Sequence, residues 1–177
     1  MLKKVVIIGP ESTGKSTLSQ QLAQHYNTSW CQEYAREFLL NHGTSYTFED
    51  LEIIAKGQLT LEEAAINNAA INSKPVVFID TDMYVMKVWC EYVFGKCHQL
   101  ILDQIVERKY DLYLLCNIDL PWVADELREY PDEQPRIELY NIYKDIMINQ
   151  PTTWADISGN YAERLSKAIE AVDALLH

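Results

Sequence analysis

Nowhere does this sequence hold an apolar run approaching the roughly 20 residues needed to cross a bilayer. Its opening Met1-Leu2-Lys3-Lys4 leads into only Val5-Val6-Ile7-Ile8 before a glycine. So short a run makes a first strand rather than a signal peptide or membrane span, and a cytoplasmic protein without a membrane partner is the expectation. Cysteine is equally sparse. Cys31, Cys90, Cys97 and Cys116 form no C-x-x-C pair, so a zinc site is not expected and buried free thiols in a reducing compartment are. Basic residues are outnumbered, 15 Lys and Arg against 26 Asp and Glu, for a net charge of −11 and a pI near 4.7. No basic face is available to neutralise a nucleic-acid backbone, so no nucleic-acid partner is expected; a mononucleotide needs only one local positive pocket. His25, His42, His98 and His177 show no ligand spacing. Glycine and proline number only 6 each against 48% hydrophobic residues, the composition of a folded chain.

At 177 residues the chain can fill one sizeable core, and a single domain spanning 1–177 is expected. No surface pattern chooses between a monomer and a small homo-oligomer. The stretch that organises it is Gly9-Pro10-Glu11-Ser12-Thr13-Gly14-Lys15-Ser16-Thr17, directly after the apolar run Val5–Ile8. It satisfies G-x-x-x-x-G-K-[ST] in full, in the strand-then-helix context that gives the pattern meaning. Gly9 can make the tight turn and Gly14 can let the backbone approach an oxygen where a Cβ would collide. Successive N–H groups then face phosphate at a helix N-terminus. Lys15 is expected to reach the β- and γ-phosphates of ATP, and the Ser16 hydroxyl to enter a Mg²⁺ shell.

Helical spacing continues from Lys15 to about Tyr26, and Ser29–Gln32 reads as a short second strand ending at Glu33. Glu33 to Leu40 is again helical, stopped by Asn41-His42-Gly43. Thr47 and Asp50 form a capping arrangement for a helix to about Asn72, in which Gly57 marks a kink or a close contact. Val76–Ile79 is a continuous apolar strand that delivers Asp80-Thr81-Asp82. Helices are expected at 83–93 and 97–108, a strand from Asp111 to Cys116, a short helical piece at Val123–Arg128, and a polar loop at Tyr130–Pro135. A helix from Arg136 to Ile148, a strand at Thr152–Ile157 and an amphipathic helix from Tyr161 to Leu176 close the chain. Five strands alternating with helices predict an α/β fold, a doubly wound five-stranded parallel sheet of the P-loop nucleoside triphosphate hydrolase type, helices on both faces. Ligands then lie beyond the carboxyl ends of the strands.

Those ends single out the remaining candidates. Asp80 closes an apolar strand as a Walker B acid does and is placed at Mg²⁺, with capping of the next helix the alternative. Asp82 either orients a substrate hydroxyl or caps the helix from Met83. Glu33, with Arg36 one helical turn on, could take the proton of an accepting hydroxyl while Arg36 neutralises the transferred phosphoryl group; a simple mutual ion pair is the other reading. Arg128 and Arg136 flank the proline-bearing loop and could close over the triphosphate as a lid at about 122–137, or be solvated. Trp89, Tyr92 and Trp122 could wall a planar base or pack in the core.

A switch GTPase would need Asp-x-x-Gly and Asn-Lys-x-Asp where this chain has Asp80-Thr81-Asp82-Met83 and Asn117-Ile118-Asp119, and a motor ATPase needs added domains. A small-molecule kinase needs only a loop, an acid, arginines and a lid. The combination of Gly9–Thr17, Glu33-Tyr34-Ala35-Arg36, Asp80-Thr81-Asp82 with Trp89, and Asp119-Leu120-Pro121-Trp122 continuing to Asp125, Arg128 and Arg136 resembles the ribosylnicotinamide kinase domain of the NadR family, an AAA-like P-loop domain. The likeness covers nearly the whole chain. It implies transfer of the γ-phosphoryl of ATP to the 5′-hydroxyl of nicotinamide riboside, giving nicotinamide mononucleotide for NAD salvage. It also implies Lys15 and Ser16 on phosphate and Mg²⁺, with Glu33, Arg36, Asp80 and Asp82 at the riboside end and Arg128 in the lid. Full-length NadR-like proteins carry DNA-binding and adenylyltransferase domains ahead of this one, so repressor and adenylyltransferase activities are not expected here. Glu126 replaces a glycine common before the lid arginine, and Met86 stands where a small hydroxyl residue is expected. Another nucleoside or nucleotide acceptor, or a regulatory ATP-binding module without transfer, are the alternatives.

Overall fold

A computed structural model describes residues 1–121 and 134–177 together with the backbone of Glu133. The helical piece expected at 123–128, most of the polar loop, and the site candidates Trp122 and Arg128 lie outside these residues, as does Glu126. In chain order the elements are β1 (Lys3–Ile8), α1 (Lys15–His25), β2 (Trp30–Cys31), α2 (Tyr34–His42), α3 (Phe48–Ile71), β3 (Val76–Asp80), α4 (Met83–Phe94), α5 (Gln99–Glu107), β4 (Leu112–Cys116), α6 (Glu133–Asn149), β5 (Trp154–Ile157) and α7 (Tyr161–Leu176).

The strands form one all-parallel sheet in the order β2-β3-β1-β4-β5, with β1 at its centre. Alternation along each strand sends side chains to two faces. Val6, Ile8, Val77, Ile79 and Leu115 meet α3, α4 and α6 on one, while Val5, Ile7, Phe78, Leu112 and Leu114 meet α1 and α7 on the other. Both faces being covered explains why these strands read as unbroken apolar runs. A third cluster, with Phe38, Leu51, Ile54, Met86 and Ile101, joins α2, α3, α4 and α5 beside the sheet. Met86, singled out in the sequence, is buried in this cluster.

The capping box at Thr47 and Asp50 forms as expected. Gly57 proves to be a close contact: a Cβ there would lie 2.2 Å from the Tyr34 ring. Several boundaries differ from the sequence reading by two or three residues: α2 continues through Asn41 to His42, α5 begins at Gln99 and β5 begins at Trp154. Only Trp30 and Cys31 pair in β2, against Phe78 and Ile79. Helix α6 begins at Glu133 rather than Arg136, because Pro135 sits in its first turn, where the missing N–H has no intrahelical partner to lose. All four cysteines are free, and Cys97 alone is partly exposed. Among the described residues no helix is long and apolar enough to cross a membrane.

Candidate functional site

The register Ile7↔Asp80 and Cys31↔Ile79 lines up the carboxyl ends of β1, β3 and β2, so the loop after β1 and the residues Asp80 and Glu33 emerge along one edge. Gly9 leaves β1 with φ 141°, and a Cβ there would stand 2.7 Å from the Cys116 carbonyl oxygen. Glycine is therefore required both for the turn and for its approach to β4. The loop closes on itself through Thr13 Oγ1, which donates to the Pro10 carbonyl at 2.7 Å. Ser12 and Gly14 both take left-handed φ values, 57° and 79°. Gly14 is the N-cap of α1 and offers it no side-chain bond, which leaves first-turn N–H groups of α1 facing the loop. Lys15 is 9% exposed and donates to the Pro10 carbonyl at 3.0 Å.

Ser16 donates to Asp80 Oδ2 at 2.5 Å. Asp80 is fully buried, and burial followed by the neighbouring Glu33 charge raises its pKa well above the usual carboxylate range, against the pull of Lys15 and of its bonds to Ser16 and Thr81. A buried carboxylate beside a serine hydroxyl is a pair of hard oxygen donors short of positive charge. That donor set fits Mg²⁺, which takes few protein ligands and fills its shell with water and phosphate oxygens. Among the described residues there is no cluster of three or more His, Cys, Asp and Glu that would suit a protein-only cage.

The loop lines a cavity of about 240 Å³. The same cavity is lined by Glu33, Arg36 and Leu39 from the β2–α2 turn and α2, Trp89 and Tyr92 from α4, and Leu139 and Tyr143 from α6. Glu33 makes no capping bond to the helix that follows it. Trp89 is held edge-on to Tyr46 and donates its ring N–H to the Tyr46 hydroxyl at 2.9 Å. Tyr92 donates to Glu138 at 3.2 Å, tying α4 to α6. Phosphate-binding backbone, a cation, the Ser16 hydroxyl, a carboxylate and an aromatic wall thus share one space, with Asp80 buried behind Ser16 and absent from the lining.

Over residues 4–164 the chain matches a family described as an AAA domain. The chain belongs to that family. The AAA domain is also similar to the trifunctional NAD biosynthesis/regulator protein NadR of Escherichia coli strain K12, 29% identical over 99% of this chain and 43% of that protein. Its counterpart in Salmonella typhimurium strain LT2 is 28% identical with the same coverage. The chain thus spans less than half the length of these relatives. Among solved structures it resembles a NadR protein in complex with NR, at a TM-score of 0.80 and 24% identity over 98% of this chain and 50% of that one. It also resembles the thymidylate kinase of Ehrlichia chaffeensis, at 0.69 and 16% over 98% of both chains. These two likenesses establish a shared fold.

Within the AAA domain, not every candidate from the sequence faces the cavity. Asp82 is 1% exposed and caps α4 by accepting from the Tyr84 and Val85 N–H groups, while the Tyr113 hydroxyl donates to its other oxygen at 2.9 Å. It is absent from the cavity lining, and its geometry is that of the cap. Arg136 is 6% exposed, with Nη2 directed at the Ile118 and Leu120 carbonyls at 3.4 and 3.3 Å, so it underpins the segment after β4 and does not line the cavity. Its place early in α6, beside Leu139 and Tyr140 on the core side, turns it inward.

Burial raises the Asp82 pKa to about 7, with Glu62 adding to the rise and the Tyr113 and backbone bonds opposing it. The folded protein therefore holds a proton that the unfolded chain, with an ordinary Asp near 3.8, has already released, so stability falls as pH climbs between those two values. Asp80 and Glu62 are shifted the same way by burial. In the absence of nucleotide and divalent cation, urea unfolding should give a lower midpoint at pH 8 than at pH 5. Asp82→Asn keeps a good cap and should visibly flatten that slope; an unchanged slope would refute the assignment.

Three side chains in or directly behind the site are not singled out by the sequence. Tyr143 lines the cavity from α6, with its pKa raised by burial and by the charges of Asp82 and Glu33. Gln58, 1% exposed, lies on α3 behind Glu33 and Asp80. Arg164, 3% exposed, lies on α7 behind the phosphate loop and donates to the Thr13, Asn117 and Gly159 carbonyls. For the last two a signal existed, since each is a polar residue in a buried helical stripe. Gln58 lies with Leu51, Ile54, Ala55 and Ala65, and Arg164 with Ala168 and Val172.

Proposed function

We propose that this chain is an ATP-dependent kinase that transfers the γ-phosphoryl group of ATP to the 5′-hydroxyl of nicotinamide riboside, forming nicotinamide mononucleotide for NAD salvage. The observation that carries the reading is that the Gly9–Thr17 loop and the wall of Glu33, Arg36, Trp89 and Tyr92 line one cavity. Donor and acceptor can then meet without leaving the protein. The names of the relatives, which speak of NAD biosynthesis, and the solved NadR complex with NR support that acceptor. A second reading, another nucleoside or a nucleotide, is favoured by the likeness to thymidylate kinase along the full length of both chains.

The chemistry assigned to each residue follows from its place. Lys15 exchanges the neutral Pro10 carbonyl for anionic phosphate oxygens, a stronger charge-assisted bond. Loop N–H groups orient the triphosphate. When bound, Mg²⁺ at Ser16 and Asp80 neutralises charge on the phosphoryl oxygens. Glu33 accepts the proton of the attacking hydroxyl, and Arg36 offsets negative charge in transfer. Trp89 and Tyr92 cover the planar base, and the aromatic faces suit a cationic pyridinium. Arg128 and Trp122 are assigned to the lid and to the base pocket.

Coupled ATP consumption should be measured with nicotinamide riboside against a panel of purine and pyrimidine nucleosides and nucleoside monophosphates. Nicotinamide riboside should give the highest kcat/KM, and a monophosphate that surpasses it would replace the acceptor in this reading. Glu33→Gln should lower kcat by about 10²-fold or more while changing KM little. An unaltered kcat would remove Glu33 as the base.

A further inference from the structure

The geometry assigns Gln58 the task of setting the backbone beneath both acidic groups of the transfer site, as a positioning residue that touches no substrate. The assignment rests on the kinase reading for its consequence in turnover, but its structural part does not.

Glu33 is flanked by two peptide groups, and Gln58 is bonded to each. Its Oε1 accepts the Tyr34 N–H at 2.8 Å, and its Nε2 donates to the Gln32 carbonyl at 3.2 Å. With the peptide planes on both sides of the Glu33 Cα held, the φ and ψ that aim its side chain are held as well. The same Nε2 reaches the Asp80 carbonyl at 3.1 Å and the Cys31 sulfur at 3.2 Å, so its two N–H groups serve three acceptors. The Asp80 carbonyl belongs to the peptide leading into Thr81, a β-branched residue at φ 75°. That conformation is strained for a β-branched side chain and persists only where the surroundings enforce it. Here they do so from both ends of the peptide: the Thr81 N–H donates to the Ile7 carbonyl at 3.2 Å, and the Asp80 carbonyl is held by Gln58.

One amide therefore couples the turn that presents Glu33 to the turn that presents Asp80. A second observation points the same way. Gly57, its neighbour, has no room for a Cβ because the Tyr34 ring fills that space. Helix α3 is thus brought into contact with the start of α2 at the level of Gln58. The amide is buried and its partners come from β2, α2 and β3, whereas a core position in α3 would ordinarily be filled by an aliphatic residue. Glutamine is the choice that accepts from one side of Glu33 while donating to the other.

The test is Gln58→Met, which keeps length and removes every hydrogen bond, beside Gln58→Glu, which keeps the acceptor for Tyr34 and removes the amide donors. In Gln58→Met, amide hydrogen exchange at Tyr34 should accelerate at least about tenfold. Its kcat should fall about ten- to hundredfold, with the KM for ATP within about twofold of wild type, since the phosphate loop is untouched. Gln58→Glu should retain protection at Tyr34 and still lose turnover; where Gln58→Met does not fold, this variant carries the kinetic comparison. Wild-type kcat in either folded variant overturns the positioning role. Unchanged Tyr34 protection in Gln58→Met overturns the clamp itself. A wild-type protein inactive on every acceptor overturns the kinase reading instead, and exchange at Tyr34 still decides the clamp.

Discussion

Lys15→Met should reduce phosphoryl transfer roughly 100- to 1,000-fold in kcat, the range found when a preorganised group that stabilises transition-state charge is deleted. Two physical effects add. Lys15 is nearly buried and lines the cavity, where its charge is screened far less than at a surface. It is also the main opposing influence on the buried Asp80, whose carboxyl it helps to keep ionised against burial and the Glu33 charge. Removing it leaves Asp80 holding its proton to higher pH. The variant's residual activity should therefore need more Mg²⁺ at neutral pH than wild type, and that excess should shrink as pH is raised. Initial rates over a grid of Mg²⁺ and pH read both effects. A loss below tenfold with an unmoved Mg²⁺ requirement would take Lys15 out of the transfer chemistry.

The parts of this site that were legible in the sequence are those where one local rule suffices. A phosphate loop announces itself because glycine is needed at two fixed positions for reasons of backbone geometry. Glu33, Arg36, Trp89 and Tyr92 could be nominated because a strand end or a helical repeat puts them on one side of one element, and the cavity brings them together. The strand runs were legible because a parallel sheet covered on both faces has no polar side to interrupt them. What stayed hidden depends on how elements meet. Tyr143 and Leu139 enter the cavity only because α6 crosses beside α4, a relation with no local trace. Asp80 ends β3 and Asp82 follows it, but the second caps α4 and the first meets Ser16; their two-residue spacing does not say which. Pro135 in a polar stretch marks a loop by local rules, although the first turn of a helix also admits it. Gln58 and Arg164 had visible sequence signals, but a polar residue in an apolar stripe does not name its partners.

Those two residues divide the site between them. Gln58 holds the backbone at Glu33 and Asp80, and Arg164 ties the Gly9–Thr17 loop to the end of β4 and the β5–α7 connection, each as a buried polar group bonded to backbone. Preorganisation of this kind lets the loop and the carboxylates keep their geometry when charge is gathered around them. It also concentrates sensitivity: a substitution at either place leaves several buried carbonyls unpaired at once.

Arg164→Met is accordingly expected to give the largest loss of stability of any substitution considered. The guanidinium donates from Nε to the Gly159 carbonyl at 2.7 Å and from Nη1 to the Thr13 carbonyl at 2.8 Å. From Nη2 it donates to the Asn117 carbonyl at 2.8 Å and pairs with Asp119. It thereby fastens the phosphate loop, the end of β4 and the β5–α7 connection to one planar fork. Methionine fills comparable volume but satisfies none of these acceptors. The cost should be about 3–5 kcal/mol, since three carbonyls lose a charged donor at roughly 1–3 kcal/mol each while the pair with the 40% exposed Asp119 adds little; the Tm should be lower by roughly 10 °C for a domain of this size. Arg164→Lys keeps the charge but not the fork, and should recover less than half of the loss. Because Thr13 lies inside the loop, affinity for a non-hydrolysable ATP analogue should also fall in both variants, measurable by titration calorimetry below their unfolding transitions. Arg164→Met within about 1 kcal/mol of wild type by urea unfolding, with analogue affinity unchanged, would mean that the loop keeps its shape without the clamp.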